Sequence, residues 1–358
     1  MNEIAIIGTA GIPNKYGGFE TLAEYLTKFL GKKLEITVFC SAKTYKLRKD
    51  RHNNANLKYI NLDANGIQSI PYDIISLLKA ARTHEQILIL GVSGCIILPL
   101  FRLFYPNMKL IINIDGLEHR REKWSNPIQR FLKLSEKLAV RHGDIIIADN
   151  KSIQDYVTTE YNKPSELIAY GGDHAKSIEL RSEVRQRFGI PPQYAFKVCR
   201  IEPENNIHLI LDAFKDATLP LVLIGNWDKS EYGRNLKEQY SSYPSTILLD
   251  PIYDQPILDQ IRSNCTVYVH GHSAGGTNPS LVEAMSLKLP IIAYDVSYNR
   301  ETTFNKGRYF RTASELTELV NSVNSSELES LAKDMKEIAD EHYTWEKISQ
   351  QYLELFRQ

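Results

Sequence analysis

Residues 270–285, with the sequence HGHSAGGTNPSLVEAM, hold the side chains whose types and spacing best suit chemistry. An apolar run ends there in a loop with Gly275 and Gly276, and a helical pattern that carries Glu283 follows. Backbone N–H groups of such a loop and of the helix start favour a phosphate. A carboxylate near the start of the helix is able to accept hydrogen bonds from ribose hydroxyls. The segment therefore predicts an anion site beside Glu283, or a glutamate that serves only the helix dipole.

Arg200 is a second candidate, because it lies at the end of another apolar run, in the segment VCRIEPENN. An arginine in such a loop binds a diphosphate through two parallel hydrogen bonds. A surface ion pair is the alternative, and the residues leave both open. His270 and His272 suggest a metal ligand pair, but no third ligand at a suitable spacing accompanies them, so the sequence predicts no metal.

A glycine-rich turn, GTAGIPNKYGGFE at residues 8–20, opens into a helical pattern near the start of the chain. Its glycines let the backbone approach a ligand closely, and free N–H groups at the helix start favour a phosphate. The turn lacks the G-x-G-x-x-G order, and Cys40 stands where a dinucleotide-binding strand ends in an acidic residue. The sequence thus argues against a dinucleotide dehydrogenase and leaves a plain strand–helix turn as the alternative.

Asp115 follows the apolar run 109–114, so we expect it at the carboxyl end of a parallel sheet, where α/β proteins bind ligands. A helix N-cap is its alternative role. A polar group follows directly and consists of Glu118, Arg120, Arg121, Lys123 and Trp124. Its cations suit a phosphate, a membrane surface or simply a solvated face.

Short apolar runs alternate with longer amphipathic segments, which is typical of strand–helix–strand units on parallel sheets. The first half has predicted strands at residues 3–7, 34–40, 57–60, 86–90, 109–114 and 144–148, and helices at 19–30, 72–81 and 127–141. The second half has predicted strands at 195–201, 219–224, 246–249, 266–270 and 290–294, and helices at 208–214, 255–262 and 280–287. We predict two doubly wound halves joined by residues 170–192, which run from YGGD through a polar stretch to two prolines, and a helical tail from residue 313.

Length and composition agree with two folded domains, since the chain has 358 residues, 43% hydrophobic and 24% charged. The net charge of zero does not favour nucleic acid, although residues 1–175 carry 23 Lys and Arg against 18 Asp and Glu, and residues 176–358 carry 20 against 25. The four cysteines lie in or beside apolar runs without a C-x-x-C pair, as buried thiols in a reducing compartment do. Without a spanning segment or signal peptide, we expect a cytoplasmic protein that is at most peripheral to a membrane.

In combination the motifs resemble the retaining glycosyltransferases of family 4, over nearly the whole chain. The resemblance rests on residues 17–20 (GGFE), 200–205 (RIEPEN), 271–285 (GHSAGGTNPSLVEAM) and 343–347 (YTWEK). Residues 8–21, 115–118 (DGLE) and 270–280 are similar to the branch of bacterial rhamnosyltransferases that build capsule or O-antigen repeats. Three positions depart from the general family: Gly275 replaces the first of two glutamates, Asn205 replaces a lysine, and Asp115 replaces a histidine. The branch shares these changes, so they do not indicate loss of activity.

The resemblance implies the α/β GT-B fold, in which two Rossmann-like doubly wound domains face each other across a cleft and a helical C-terminal tail follows. It implies an acceptor-side domain at residues 1–172, a nucleotide-sugar domain at 173–340, and a C-terminal helix at 341–358 that packs back on the first domain. It also implies transfer of L-rhamnose from dTDP-L-rhamnose, with retention, to a polyprenyl-diphosphate-linked saccharide at the inner membrane surface. Since these enzymes lack a divalent metal and no D-x-D motif is present, we expect no cofactor besides the dTDP- or UDP-linked donor.

As the resemblance implies, the donor ribose lies on Glu283 and the diphosphate near Arg200. The predicted donor-binding residues are Gly17, Gly18, Asn205, His272, Gly275, Gly276, Thr277, Asn278 and Glu283. The predicted catalytic residues are Asp115 and Arg200, and the predicted acceptor-binding residues are Tyr16, Glu118, Arg120 and Trp124. Asp115 is either a base or a group that only orients the sugar. Another nucleotide-sugar hexosyltransferase, a non-hydrolysing UDP-sugar epimerase and a non-catalytic nucleotide-binding module stay open as alternatives.

Overall fold

The computed structural model describes residues 3–15, 17–121, 124–322 and 324–358. The chain divides into two compact units, one of Met1–Tyr170 with Trp345–Gln358 and one of Gly171–Thr344. The predicted domains end at residues 172 and 340, so the two divisions differ by two residues at the first boundary and by four at the second.

The first unit is built on one sheet with helices. Its strands are β1 (Glu3–Ile7), β2 (Glu35–Ser41), β3 (Arg51–His52), β4 (Ala55–Ile60), β5 (Gln86–Leu90), β6 (Lys109–Asn113), β7 (Ile145–Ala148) and β8 (Glu166–Leu167). Its helices are α1 (Gly18–Leu30), α2 (Ser69–Ala80), α3 (Leu98–Phe104), α4 (Asn126–His142) and α5 (Lys151–Tyr161). The strand order is β3-β4-β2-β1-β5-β6-β7-β8, and every pair except β3 with β4 is parallel.

The central strands of this sheet are buried almost throughout. β5 reads QILIL and is buried at every position, and β1 and β6 are buried except at their first residues. Such continuous apolar runs are expected of parallel strands that have helices on both faces. Because β1, β5 and β6 are parallel, the glycine turn after β1 and Asp115 after β6 lie at the same carboxyl edge of the sheet.

The second unit repeats the architecture with a parallel sheet. Its strands are β9 (Ala195–Val198), β10 (Leu221–Ile224), β11 (Thr246–Leu249), β12 (Val267–His270), β13 (Ile291–Tyr294) and β14 (Arg308–Phe310). Its helices are α6 (Ser182–Phe188), α7 (Ile207–Ala213), α8 (Glu231–Tyr240), α9 (Gln255–Ser263), α10 (Pro279–Ser286), α11 (Ser297–Thr302), α12 (Ala313–Ser322) and α13 (Ser325–His342). The strand order is β11-β10-β9-β12-β13-β14, which makes β9 and β12 direct neighbours.

The last helix, α14 (Trp345–Arg357), belongs to the first unit and contacts α1. The ring of Trp345 stacks on that of Tyr25, with the centroids 4.6 Å apart. Tyr352 accepts a hydrogen bond at its hydroxyl from Nδ2 of Asn113 at 3.2 Å. The apolar face of α14 is therefore buried against the core of the first unit, which ties the end of the chain to its beginning.

Most predicted strands recur within two residues of their observed bounds, and β9 ends three residues earlier than predicted. The prediction missed the short strands β3, β8 and β14 and the helices α5, α6, α8 and α11. Two of these helices show why. α6 has no buried residue and α5 buries only Ile153 and Val157, so neither carries the apolar stripe by which a helix is recognised from sequence.

Candidate functional site

Two loops of the second unit, one after β9 and one after β12, are tied together. Nδ2 of Asn206 donates to the carbonyl oxygen of Gly271 at 2.8 Å, and the N–H of Ser273 donates to the carbonyl oxygen of Glu204 at 2.8 Å. A Cβ on Gly271 would lie 2.3 Å from the carbonyl oxygen of Asn205, so only glycine permits this close approach. Because β9 and β12 are neighbours, the two loops form one surface at the carboxyl edge of the sheet.

Arg200 is the cation of the β9 loop. Its side chain is 38% exposed, and its Nε lies 3.7 Å from the carboxylate of Glu202, so the ion pair that the sequence left open is present. An exposed pair at this distance contributes little to stability, and the guanidinium stays available to a ligand. Asn205, by contrast, is buried and donates from Nδ2 to the carbonyl oxygen of Arg200 at 2.6 Å. Asn205 holds the shape of the loop, and its contact with a donor stays a prediction.

The glycine loop leads into a capped helix. Oδ1 of Asn278 accepts hydrogen bonds from the N–H of Ser280 at 3.1 Å and from its hydroxyl at 2.8 Å, immediately before α10. Gly275 has a φ of +126°, which other residues rarely adopt, and no heavy atom lies within 4 Å of the position of a Cβ. Thr277, between them, is buried. Partly exposed glycine backbone beside the N-terminus of a helix is suited to binding an anion.

Glu283, in α10, is the centre of a network of charged side chains. Its Oε1 lies 2.9 Å from Nε2 of His174, and its Oε2 is ion-paired with Nη1 of Arg262. Arg262 is 4% exposed and also binds Asp259, through Nε at 2.7 Å and Nη2 at 2.6 Å. Burial acts to raise the pKa of Glu283, but the charge of Arg262 and the hydrogen bond from His174 outweigh it and hold the pKa at about 2. Glu283 is therefore a fixed carboxylate with 16% of its side chain exposed.

The sequence did not identify His174, Arg262 or Asp259 as members of this network. His174 lies in the predicted connection between the two halves, and the other two lie in a helix that was predicted without a functional role. Nothing in the neighbouring residues points to the contact, because His174 is 109 positions away from Glu283. The only available signal in the sequence is that Asp259 and Arg262, which have opposite charges, lie three residues apart on one helix.

β12 ends on His270, which is fully buried, and the ring stacks on that of His272 with the centroids 4.5 Å apart. Burial, with a smaller effect of the charge of Lys197, holds the pKa of His270 well below its usual value, so the imidazole is neutral. His272 lies in the glycine loop, where its carbonyl oxygen accepts a hydrogen bond from Asn299 at 2.9 Å. In the described part of the chain, no group of three or more His, Cys, Asp or Glu residues could hold a metal ion.

The glycine turn of the first unit is held by two tyrosines. The hydroxyl of Tyr72 donates to the carbonyl oxygen of Thr9 at 2.8 Å. The hydroxyl of Tyr45 donates to the carbonyl oxygens of Gly11 and Pro13, at 2.7 and 2.8 Å. The carbonyl groups on this side of the turn are therefore bound within the protein, and contact of the turn with a ligand stays a prediction.

Glu20 fixes the second part of the turn, since its Oε1 accepts a hydrogen bond from the N–H of Ala10 at 2.6 Å. The φ of Gly17 is +126°, a conformation that other residues rarely adopt, so the backbone favours glycine there, and a Cβ would displace Oε2 of Glu20. Gly18 is the first residue of α1. Tyr16, a predicted acceptor-binding residue, lies outside the described residues.

Asp115 lies two residues after the end of β6, at the predicted carboxyl edge of the sheet. Its φ is +60°, and its N–H donates to Oδ1 of Asn113 at 3.0 Å. The short helical turn Glu118–Arg120 begins after Leu117 and has no side-chain cap, so Asp115 is not its N-cap. Lys123, further along this loop, lies outside the described residues.

The other predicted residues of this loop contact one another within the first unit. Nε of Arg121 lies 2.6 Å from Oε1 of Glu118, and Nε1 of Trp124 donates to Oε2 of the same carboxylate at 3.2 Å. Arg121 is buried, so a solvated face, one of the alternatives that the sequence left open, does not describe this residue. Arg120 is exposed, and its guanidinium lies 4.9 Å from the ring centroid of Tyr156.

A buried carboxylate beside this loop was also missed from sequence. Glu136 of α4 accepts hydrogen bonds from the hydroxyls of Tyr156 and Tyr161 at 2.7 and 2.6 Å, and Nδ1 of His119 lies 2.9 Å from its Oε2. Burial acts to raise the pKa of Glu136, but these three contacts lower it below its usual value. The network holds the loop after β6 against α4 and α5.

Residues 1–173 match the family described as a domain of unknown function (DUF1972), and residues 181–342 match the family of glycosyl transferases group 1. No curated protein matches the chain. Among solved structures, sucrose-phosphate synthase from Thermosynechococcus elongatus aligns with a TM-score of 0.81 and 16% identity, over 100% of this chain and 98% of that one. HepE from Anabaena, in complex with UDP and glucose, aligns with a TM-score of 0.77 and 16% identity over 100% of both chains. A glycosyltransferase from Rickettsia africae aligns with a TM-score of 0.72 and 11% identity, over 99% and 97%.

Residues 181–342 thus resemble the glycosyl transferases group 1 family. At these identities the likeness to solved structures shows the fold, and the prediction of an α/β GT-B fold with two Rossmann-like units and a helical tail is confirmed. Among the described residues, no helix is both long and apolar enough to cross a membrane.

Proposed function

We propose that this chain is a retaining glycosyltransferase of family 4 that transfers L-rhamnose from dTDP-L-rhamnose to a polyprenyl-diphosphate-linked saccharide in bacterial surface polysaccharide synthesis. One observation carries the proposal: in the second unit, the loop with Arg200 is joined to the glycine loop before α10, the helix that holds the carboxylate of Glu283. A nucleotide diphosphate is bound by such a set, with a cation and backbone N–H groups for the phosphates and a carboxylate for ribose hydroxyls. The group 1 match of residues 181–342 supports it.

The chemistry assigned to these groups follows from where charge develops. Breaking the bond between the sugar and the β-phosphate leaves negative charge on the nucleotide diphosphate, and fixed donors aimed at this charge lower the barrier most. We assign this role to Arg200 and to the N–H groups of Gly275, Gly276 and Thr277. The acceptor oxygen bonds to the anomeric carbon on the face that the phosphate leaves, and the phosphate takes the hydroxyl proton. The anomeric configuration is then retained without a protein base, and the proposal includes no metal.

The first unit is assigned to the acceptor. Asp115, Glu118, Arg120 and Trp124 lie together in the loop after β6, and the glycine turn lies at the same carboxyl edge of the sheet. The carboxylate of Glu118 already binds Trp124, so this pair acts as one wall of the acceptor site. Asp115 then orients the acceptor hydroxyl, and a saccharide carried on a lipid diphosphate is the acceptor that the resemblance implies.

The donor sugar is assigned from Gly275. This residue stands where family-4 enzymes carry the first of two glutamates, and the space beside it is open for at least 4 Å around the position of a Cβ. The backbone at this position offers no carboxylate to the hydroxyls of glucose, and each hydrogen bond that glucose loses there weakens its binding by about 1 kcal/mol. A 6-deoxy sugar has one hydroxyl fewer that needs a partner. His272 and Asn278 are the loop side chains left to contact the sugar. UDP-glucose is the competing donor, because HepE was solved with UDP and glucose.

A lipid-linked acceptor places the enzyme at a membrane surface, and an exposed apolar face suits this better than the polar loop after Asp115, in which Arg121 and Glu118 pair with each other. α3 exposes Leu103 at 77% and Phe104 at 72%, and it contacts α4. The exposed cations of α4 are Arg130, Lys137 and Arg141. Apolar side chains beside cations are typical of contacts with anionic headgroups. We therefore assign the membrane contact to α3 and α4.

A donor panel tests the proposed function. Release of the nucleotide diphosphate is measured from dTDP-L-rhamnose and from UDP-glucose, alone and in competition, with and without a polyprenyl-diphosphate-linked saccharide. We expect release that depends on the acceptor and prefers dTDP-L-rhamnose. Preferred transfer from UDP-glucose would overturn the donor assignment alone. Conversion of UDP-N-acetylglucosamine without an acceptor would instead indicate an epimerase, and nucleotide binding without turnover would indicate a binding module.

A further inference from the structure

Residues 171–175, with the sequence GGDHA, lie against the helix that carries Glu283. A Cβ on Gly172 would lie 2.2 Å from the carbonyl oxygen of Val282 and 2.4 Å from its carbonyl carbon. The N–H of Gly172 donates to the carbonyl oxygen of Tyr343 at 2.8 Å, which holds the segment from the other side. Gly172 therefore lets this segment pack directly on the backbone of α10.

This close packing brings His174 to Glu283. The N–H of Ala175 donates to the carbonyl oxygen of Gly172 at 3.2 Å and turns the chain, so that Nε2 of His174 lies 2.9 Å from Oε1 of Glu283. An ionised carboxylate only accepts hydrogen bonds, so Nε2 carries the proton of this bond. The side chain of His174 is 11% exposed, which protects the bond from competition with water.

The second oxygen of Glu283 is fixed from the opposite direction. Arg262 pairs with Oε2, and its own orientation is set by the two contacts to Asp259. A carboxylate with one fixed partner on each oxygen cannot rotate about its last bond without losing one of them. Each oxygen still has a lone pair for a further hydrogen bond, and 16% of the Glu283 side chain remains exposed to a ligand.

We propose that His174 is a positioning residue of the donor site, which holds the carboxylate of Glu283 in the orientation that accepts a hydrogen bond from the nucleotide ribose. The inference rests on the proposed function, because that function assigns the ribose to Glu283. His174 itself touches no part of the donor in this arrangement and acts through Glu283. Without His174, the carboxylate keeps its charge and its pairing with Arg262 but loses the second partner that fixes its plane.

The test measures binding of three ligands by calorimetry, so that no turnover is needed: dTDP, its 2′,3′-dideoxy form, and pyrophosphate. UDP and its dideoxy form replace the first two if the unaltered chain binds UDP more tightly. The variants are His174→Ala and His174→Gln, since the glutamine amide keeps an N–H donor at a reach close to that of Nε2. His208→Ala is the matched control, because His208 is an exposed histidine of the same unit that bonds Tyr232. Circular dichroism confirms that each variant is folded.

In the unaltered chain, removal of the ribose 3′-hydroxyl should weaken binding about tenfold, the usual effect of one hydrogen bond to a charged group. His174→Ala should weaken dTDP about tenfold, abolish the difference between dTDP and its dideoxy form, and leave pyrophosphate unchanged. His174→Gln should restore most of the difference, and His208→Ala should change nothing. An equal loss for all three ligands, or a full 3′-hydroxyl effect in folded His174→Ala, would overturn the inference alone. Failure of the unaltered chain to bind any of the nucleotides would overturn the proposed function and the inference with it.

Discussion

Asn205 donates a hydrogen bond from its side-chain Nδ2 to the carbonyl oxygen of Arg200, at 2.6 Å, and is only 1% exposed. It stands where the general family that the sequence resembles carries a lysine. The side chain at this position therefore shapes the loop and adds no charge to it. Arg200 is the only cation in the sequence CRIEPENN of residues 199–206, so under the proposed function this loop has a single charged group with which to neutralise the leaving diphosphate.

We predict that Arg200→Ala lowers kcat by about 10²–10³, the usual loss when one group that stabilises transition-state charge is removed. The measurement is the release of nucleotide diphosphate in the presence of the acceptor. Arg187→Ala, at an exposed arginine of the same unit, is the matched control and should have no effect. A folded Arg200→Ala enzyme with nearly unchanged kcat/KM would contradict the assignment.

We expect Glu283→Gln to weaken nucleotide binding without unfolding the chain. The amide loses the negative charge that attracts ribose hydroxyls, but it still accepts a hydrogen bond and fills the same volume. Arg262 keeps its two contacts to Asp259, so no buried cation is left unpaired. Calorimetry with dTDP and UDP measures the change, and unchanged affinity for both would make Glu283 a purely structural residue.

Acid should destabilise the fold through the same carboxylate. The pKa of Glu283 is about 2 in the folded chain, against about 4.5 as its usual value, so the folded state favours the ionised form. The stabilisation of the fold by ionised Glu283 is fully present above about pH 4.5 and is lost as the pH falls toward 2. The difference between the two pKa values corresponds to about 3 kcal/mol in the free energy of unfolding. The free energies of unfolding of the unaltered chain and of Glu283→Gln should therefore converge over this range. A constant difference from pH 7 down to pH 2 would refute the pKa assignment.

Lys197→Met should stabilise the protein. Lys197 is fully buried in β9, and its Nζ has no hydrogen-bond partner among the described residues. Burial lowers its pKa, so the folded state resists protonation of a group that the unfolded chain protonates up to about pH 10.5. The methionine should raise the free energy of unfolding by about 1–2 kcal/mol at pH 7, because the cost of burying a polar group without a hydrogen bond is then absent.

The sign of this effect can be checked by pH. The free-energy cost of burying Lys197 falls as the pH rises toward 10.5. The difference in the free energy of unfolding between Lys197→Met and the unaltered chain should therefore shrink between pH 7 and pH 10. Thermal unfolding at both pH values measures it, and Lys229→Met, at an exposed lysine, serves as the control. A lower Tm for Lys197→Met would mean that the ammonium group has a stabilising role.

The double variant Leu103→Ser with Phe104→Ser should lose binding to anionic vesicles. Both side chains are mostly exposed on α3, and each buries apolar area in a headgroup layer at a gain of about 25 cal/mol per Å². Flotation at low salt measures binding, and Leu47→Ser is the control because Leu47 is 84% exposed elsewhere in the unit. Equal flotation of the unaltered chain, the double variant and the control would place the membrane contact elsewhere. If the unaltered chain does not float at all, the proposed membrane contact is wrong.

The sequence by itself determined the α/β class, the two Rossmann-like halves and the loop–helix segment at residues 270–285. These features have local signals: an apolar run for β12, glycines for an unusual backbone, and Asn278 followed by proline for a helix start. Each signal lies within a few residues of the structure that it predicts, because backbone conformation and helix capping depend on neighbouring residues.

Only the tertiary structure decided which side chains act together. His174 reaches Glu283 across 109 positions because Gly172 packs on α10, and Asn205 turns inward because its amide meets the carbonyl group of Arg200. Even for Arg121 the sequence left a solvated face open, and its side chain is held instead against Glu118, which also binds Trp124. Such contacts depend on how strands and helices pack, and neither periodicity nor residue type specifies the partner of a buried polar group in advance.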